Sequence, residues 1–112
     1  MAARLAERLN ELAAQVELDA VDVARAVGTN PRTVSRWLAT TTTPQRSQRE
    51  RLLEVIAALE RLSSTLRPEA AHDWLLSPNP MLSYEKPIDL LAAGEFRRVL
   101  GAIDALADGV FV

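Results

Sequence analysis

Residues 74–112 read WLLSPNPMLSYEKPIDLLAAGEFRRVLGAIDALADGVFV, and the spacing of proline, glycine and apolar residues within them decides the fold class. Pro87 stands directly before an apolar run. It predicts a helix start, because the N–H that proline lacks would be unpaired in the first helical turn anyway. Gly94 predicts the left-handed cap that closes this short helix. The stretch therefore indicates helices joined by turns, and an all-α chain.

A longer helix is expected after Gly94, almost to the end of the chain. Its apolar residues recur at helical offsets and form one face: Phe96, Val99, Leu100, Ile103, Leu106 and Ala107. Asp108 and Gly109 predict the end of this helix. The last three residues, Val110, Phe111 and Val112, are apolar, whereas chain termini are usually polar and frayed. They have no evident partner within the chain, so they predict either a partner protein that covers them or a tail folded back on its own domain.

Two short helices separated by a turn are predicted before residue 40. Asp19 is expected to cap a helix that ends near Val27, and Asn30 to cap a second helix over 31–38, with Pro31 at its first position. A helix-turn-helix needs a small residue where the helices touch, a glycine in the turn and a branched apolar residue in the second helix. These are Ala24, Gly28 and Val34.

The outer face of the second helix is predicted to contact DNA. It carries Arg32, Thr33, Ser35 and Arg36, opposite a buried side formed by Val34, Trp37 and Leu38. Arginine reads guanine through two hydrogen bonds, and serine or threonine binds base edges or phosphates. The segment NPRTVSRWL also resembles the recognition helix of Xre/Cro-type repressors. The alternative is a helical hairpin whose polar face meets only water.

Three further helices complete the predicted architecture. The first covers Ala2 to Gln15 and serves as scaffold, and a long helix is expected from Pro44 to Leu66 with Thr43 as its cap. Arg46 and Arg49 lie in the first turns of the long helix, where a cation opposes the helix dipole unless a DNA phosphate is nearby. The alternative is that the fold simply tolerates them. A short helix over 69–76 is expected to carry Trp74 and Leu75 inward.

Charge is distributed unevenly along the 112 residues, although the net charge is only −2. Residues 25–51 contain six arginines and one acidic residue, a local net charge of +5, whereas residues 67–112 have a net charge of −3. A basic middle and an acidic end predict two different partners, unless the clustering is chance on a solvated surface. No signal peptide or membrane span is recognisable, so we expect a cytoplasmic protein with no membrane partner.

Catalysis and metal binding are not expected. The chain has no cysteine and one histidine, His72, which we interpret as a surface or helix-cap residue. Asp104 and Asp108 are four residues apart, but two carboxylates supply too few oxygen ligands for calcium or magnesium. The four glycines are scattered and form no phosphate-binding loop. We therefore predict no enzyme activity, no cofactor and no metal.

The segment PNPMLSYEKPIDLL with Gly94, the last helix and Gly109 resembles the toxin-binding domain of the Xre/MbcA/ParS-like antitoxins, which belong to RES–Xre toxin–antitoxin pairs. The resemblance covers residues 67–112. It departs from the family where Ser83-Tyr84-Glu85 replaces a Gly-rich turn, which affects the expected turn geometry. Residues 1–66 would then form a DNA-binding unit with a long connecting helix.

The resemblance implies a cognate RES-domain toxin that consumes NAD. The antitoxin would insert its C-terminal end, Asp108 to Val112, into the active-site cleft of the toxin and would repress its own operon through operator DNA. A homodimer or a higher hetero-oligomer with toxin is expected, because helix-turn-helix proteins usually read paired half-sites. The alternative function is a stand-alone repressor whose C-terminal unit is a dimer interface. A toxin-sized reading frame beside this gene would distinguish the two.

Overall fold

The computed structural model describes residues 2–39 and 42–109, and this part of the chain is all-α, as predicted. Its α-helices are α1 (Ala2–Gln15), α2 (Ala20–Val27), α3 (Pro31–Leu38), α4 (Arg46–Ser63), α5 (Pro68–Leu76), α6 (Pro87–Ala92) and α7 (Phe96–Ala107). One turn of 3₁₀ helix covers Pro80–Leu82 between α5 and α6.

Local capping explains the boundaries of α2 and the start of α3, and the predicted bounds of α1, α2 and α3 are confirmed. The Asp19 carboxylate accepts the Asp22 N–H at 2.8 Å, and the Asn30 side chain accepts the Thr33 N–H at 2.9 Å. Gly28 closes α2 with a φ of 81°, a left-handed conformation that favours glycine. Helices α2 and α3 therefore begin, and α2 also ends, where the sequence provides a cap.

The predicted bounds of α4, Pro44 to Leu66, are wrong at both ends. Pro44 is buried and precedes the helix, which starts at Arg46 with Gln45 rather than Thr43 as its cap. The Gln45 N–H donates to Oε1 of Gln48 at 3.2 Å, so the first turn is closed by a glutamine pair. Glutamine is a weaker sequence signal for a cap than threonine before proline, which explains the error.

One hydrophobic core runs through the whole described chain, and α4 lies at its centre. This helix contacts α1, α2, α5, α6 and α7. Its fully buried residues include Leu52, Val55, Leu59 and Leu62. Helix α2 also packs extensively on α6, so the N-terminal and C-terminal parts share this core. The two predicted units are therefore in direct contact along α2 and α6.

A pair of surface charges adds a polar link between α1 and α4. The Arg8 guanidinium donates to Glu60 at 2.9 Å and to Glu11 at 3.3 Å. The hydrogen bond with Glu60 is the main reason that the pKa of Arg8 is raised above its usual value. The pair is exposed, so it orients the two helices without adding much stability.

The C-terminal helices differ in three details from the sequence expectation. In α7 the buried residues are Val99, Ala102 and Ile103, while Phe96, Leu100 and Leu106 are partly exposed and Ala107 is exposed. Leu75 is buried as predicted, but Trp74 is only partly buried. His72 is also half-buried, and its Nδ1 has no hydrogen-bond partner among the described residues. The helical period predicts which side of a helix is buried only to within about one residue. This explains why the buried face of α7 includes Ala102 and not Leu106.

Candidate partner-binding surfaces

Helix α3 presents a cationic outer face. Arg32, Ser35 and Arg36 are exposed, whereas Val34 and Trp37 on the opposite side are buried in the core. The helix contains no acidic residue, and within residues 2–39 and 42–109 neither arginine forms an ion pair. Trp37 is 2% exposed, so its indole supports the helix from behind. The arrangement leaves two arginines and a serine hydroxyl available to a ligand.

Thr33 has a different position from the other three residues of the predicted DNA-binding face. It is half-buried, and its hydroxyl donates to Oδ1 of Asn30 at 3.1 Å, beside the capping bond from its own N–H. The hydroxyl therefore already has an acceptor inside the protein. A role for Thr33 in binding DNA stays a prediction, and it would use the remaining lone pairs of that oxygen.

The arginines at the start of α4 divide into two groups. Arg46 and Arg49 are exposed, and Arg46 lies 3.8 Å from Glu50, a long and solvated contact. Arg51 does not belong with them, although it stands in the same basic run. Its guanidinium is partly buried, donates to the carbonyls of Leu91 and Ala92 at the end of α6, and approaches Glu54 at 3.4 Å. Arg51 therefore holds the fold together, and only Arg46 and Arg49 remain available to phosphate.

A polar joint connects α2 with α6 beside the apolar contact between these helices. Nε and Nη2 of Arg25 donate to the two carboxylate oxygens of Asp89 at 2.8 and 2.9 Å. A parallel pair of bonds fixes the orientation of both groups, which a single ion pair does not. Together with Arg51, this pair fixes the end of α6 against α2 and α4.

Gly94 allows Arg51 to reach α6. Its φ is 83°, and a Cβ at this position would lie 2.9 Å from Nη2 of Arg51. The Glu95 N–H bonds to the Leu90 carbonyl at 2.8 Å, which completes the left-handed cap predicted for this glycine. The predicted start of α6 at Pro87 is confirmed as well. Glycine is favoured here by its backbone conformation, and an added Cβ would require the Arg51 guanidinium to shift.

Helix α7 ends as predicted, immediately before the proposed toxin-binding tail. The helix stops at Ala107, and Gly109 has a φ of 75°. Asp108 and Gly109 are both exposed. Val110, Phe111 and Val112 lie outside the described residues. Their role in toxin binding therefore stays a prediction.

The turn at 79–85 was expected from the sequence, but sequence reasoning did not single it out as a candidate contact surface. The Asn79 N–H donates to the Glu85 carbonyl at 3.1 Å, and the Tyr84 N–H donates back to the Asn79 carbonyl at 2.8 Å. The Asn79 side chain also accepts the Met81 N–H at 2.9 Å. Between them, Leu82 is buried in the core. The turn is thus anchored by one apolar side chain and closed by its own backbone.

Backbone strain is concentrated at the tip of this turn. Ser83 and Tyr84 have φ values of 56° and 64°, so two consecutive residues with side chains are left-handed. Each such residue costs on the order of 1–3 kcal/mol and persists only where its surroundings hold it. At this place the family resemblance implied a Gly-rich turn, and the structure has a left-handed backbone at two residues that are not glycine.

The strained turn also exposes apolar side chains. Tyr84 is 71% exposed and Met81 is 42% exposed. The sequence signal for this surface was the single tyrosine, Tyr84, in a segment marked by prolines on both sides. That signal places Tyr84 in a turn, but it does not give the fraction of the side chain that is exposed.

Within 2–39 and 42–109, no group of three or more histidine, cysteine or acidic side chains is placed to hold a metal ion. No helix in this part of the chain is both long enough and apolar enough to cross a membrane.

Comparison with known families gives a match over residues 57–109 to the Xre/MbcA/ParS antitoxin C-terminal toxin-binding domain. This match starts inside α4 and ends at Gly109, so it includes the turn at 79–85. Proteins named mycobacterial cidal antitoxin MbcA from Mycobacterium tuberculosis and Mycobacterium bovis are 43% identical over 91 residues. That alignment covers 81% of this chain and 80% of theirs. A probable mycobacterial cidal antitoxin of M. tuberculosis is 33% identical over 82% of this chain and 78% of its own length.

Similarity extends to a solved structure. The fold matches a chain of the crystal structure of the M. tuberculosis MbcT–MbcA toxin–antitoxin complex with a TM-score of 0.84 and 39% identity. The match covers 96% of this chain and 97% of that chain. The whole arrangement, from α1 through α7, therefore recurs in that structure.

Proposed function

The chain belongs to the Xre/MbcA/ParS family of antitoxins, and on this premise we propose that it neutralises a cognate RES-domain toxin and represses its own operon. The observation that supports neutralisation most strongly is the 43% identity to proteins named antitoxins, spread over 81% of the chain. A protein of this kind acts by binding, so we propose no catalytic role. By the family resemblance, the toxin is one that consumes NAD.

Neutralisation is tested by co-expression in a bacterial host with the reading frame that lies beside this gene. The toxin alone should stop growth and deplete cellular NAD, and the chain supplied on a second plasmid should restore both. If the toxin stops growth without depleting NAD and the chain still restores growth, the antitoxin role stands, but the proposed chemistry of the toxin is contradicted. No toxicity from any neighbouring frame would favour the stand-alone repressor.

The toxin is proposed to accept the C-terminal end of the chain in its active-site cleft. Asp108 and Gly109 are exposed after the end of α7, and three more residues can span at most about 10 Å at roughly 3.3–3.6 Å each. Val110, Phe111 and Val112 are apolar, and burying a large apolar side chain contributes about 1.5–3 kcal/mol. The terminal carboxylate would pair with a cationic group that otherwise binds a substrate phosphate. A chain end suits a narrow cleft because it enters without the width of a loop.

Truncation after Asp108 tests this mechanism directly. The shortened chain should keep its melting temperature and its DNA binding, because α7 is complete at Ala107. It should lose toxin neutralisation, with affinity reduced by a hundredfold or more for the loss of about 3 kcal/mol of burial. Full protection of cells by the truncated chain would exclude the tail as the inhibitory element.

Repression is proposed to use the outer face of α3 together with Arg46 and Arg49. Arg32, Ser35 and Arg36 are exposed there, and arginines suit both guanine edges and phosphates. A homodimer, or a hetero-oligomer with toxin, would present two such helices to paired half-sites. Sedimentation that shows a monomer at tens of micromolar, with and without operator DNA, would contradict this assembly.

A further inference from the structure

We propose that the turn at 79–85 is a preformed second contact surface for the toxin, with Tyr84 as its central side chain and Met81 beside it. The inference rests on the proposed function, because it assigns a surface to the same partner. It adds a binding site away from the C-terminal tail, on residues that the tail mechanism does not use.

The backbone of the turn is held in its shape before any partner arrives. Asn79 exchanges hydrogen bonds with Tyr84 and Glu85, and buried Leu82 fixes the centre of the turn to the core. Arg98 on α7 adds bonds to the Leu82 carbonyl at 3.4 Å and to Glu85 at 3.3 Å. A surface fixed in this way loses little conformational freedom on binding, which favours affinity.

The backbone at Ser83 and Tyr84 is left-handed, which is a second feature typical of a binding site. Neither residue is glycine, so the conformation is held against its local preference. Strain of this kind clusters at binding sites, where surrounding contacts maintain it. At Tyr84 this backbone conformation coincides with a residue that is 71% exposed.

The chemistry of the surface selects a protein as its partner. Tyrosine and methionine are enriched in protein interfaces, and tyrosine is among the residues that dominate binding energy. The surrounding residues 67–112 have a net charge of −3, which repels nucleic acid. The matching site on the toxin would be an apolar hollow with a hydrogen-bond acceptor or donor at its rim for the phenol.

Distance along α7 allows one toxin molecule to touch both the turn and the tail. Arg98 lies beside the turn and Gly109 precedes the tail, which at 1.5 Å per residue separates them by about 16 Å. An ordinary interface buries about 800 Å² on each partner and is therefore roughly 30 Å across. Both surfaces also lie within the residues that match the toxin-binding domain, 57–109, or directly follow them.

The test compares Tyr84→Asn with Val21→Ala in the full-length chain. Asparagine tolerates the left-handed backbone better than most residues and removes the ring without disturbing the turn. Val21 is 63% exposed on α2, outside the matched domain, so its truncation controls for loss of exposed apolar surface. Affinity is measured by calorimetry with the purified toxin encoded by the neighbouring reading frame, and thermal melting checks folding. We expect Tyr84→Asn to bind about thirtyfold more weakly, and Val21→Ala to bind as the wild type does.

A second variant keeps the test decisive if Tyr84→Asn melts early. Met81→Ala leaves the left-handed backbone untouched and should weaken toxin binding at least threefold. Wild-type affinity in both variants would overturn the inference while leaving the antitoxin function in place. Equal loss in Val21→Ala would overturn it too. A wild-type chain that does not bind the toxin would remove the proposed function, and this inference with it.

Discussion

The face of α3 and the turn at 79–85 lie on one core but are built by opposite means. The α3 face belongs to a regular helix that is capped by Asn30. The exposure of its arginines follows from the helical period of the local sequence. The turn violates local conformational preferences, since Ser83 and Tyr84 are left-handed and an aromatic ring faces solvent. The α3 face is cationic and regular, which suits the repeating phosphates of DNA. The turn is strained and apolar, which suits a single protein with a complementary surface.

A rigid joint separates the two surfaces. The joint consists of two contacts: Arg25 binds Asp89, and Arg51 binds the end of α6. These contacts fix the orientation of the N-terminal part relative to the C-terminal part. Substitutions on either surface should therefore affect one partner alone, whereas substitutions in the core or the joint should affect both. The following variants test that distinction.

The largest effect is expected from the two tryptophans. Trp37→Ala should destabilise the fold by about 3–5 kcal/mol, because the indole is 2% exposed behind α3. Trp74→Ala should destabilise it less, because that ring is only partly buried. Thermal melting measures both. A Trp37→Ala variant that melts as the wild type does and yet fails to bind DNA would place Trp37 at the interface instead.

The joint is tested by a matched pair of glycines. Gly94→Ala should destabilise the fold by about 1–3 kcal/mol, because alanine is strained at this φ and its Cβ meets the Arg51 guanidinium. Gly101→Ala should stabilise it by up to about 1 kcal/mol, because Gly101 lies within α7 with nothing within 4 Å of the added carbon. Melting temperatures should move in opposite directions. A Gly94→Ala variant that melts at or above the wild-type temperature would mean that Gly94 does not constrain the joint.

The α3 face is tested on DNA alone. Loss of Arg32 or Arg36 to alanine should reduce affinity for the promoter of this gene by about 1–3 kcal/mol each and relax base preference. Arg49→Ala should weaken all sequences alike and lower the salt dependence of binding, as a phosphate contact does. Arg97→Ala, an exposed arginine on α7, serves as the control. Binding at two salt concentrations distinguishes these cases, and an Arg32 and Arg36 double variant with unchanged affinity would reject the DNA surface.

The smallest effect is expected from relaxing the turn. Ser83→Gly should stabilise the fold by about 0.5–1 kcal/mol, because glycine relieves the left-handed strain but gains freedom when unfolded. Ser77→Gly is the control, since its φ of −113° needs no glycine and the same change should destabilise the fold slightly. Chemical denaturation resolves differences of this size. A loss of stability in Ser83→Gly equal to that in Ser77→Gly would show that the turn is not strained.

Local signals in the chain were enough to predict most of the fold. Three helices start at residues whose own side chain or ring favours a helix start: Asp19, Asn30 and Pro87. Two helices end at a glycine, Gly28 or Gly94. The cause of each of these boundaries therefore lies within one short segment. The same holds for the arginines of α3, whose exposure follows from helix period once the opposite face is apolar. The family resemblance rested on such segments too, and the comparisons confirm it.

The sequence alone thus determined the bounds of α1, α2 and α3, the start of α6 and the family, because each depends on residues within a few positions of one another. Tertiary structure decided that Arg51 is used in the joint and that the turn carrying Tyr84 is anchored to α7 by Arg98. Each of these depends on groups far apart in the chain, such as Arg51 with the Leu91 carbonyl. A contact of that kind has no local signal, because its energy appears only when packing brings the two segments together.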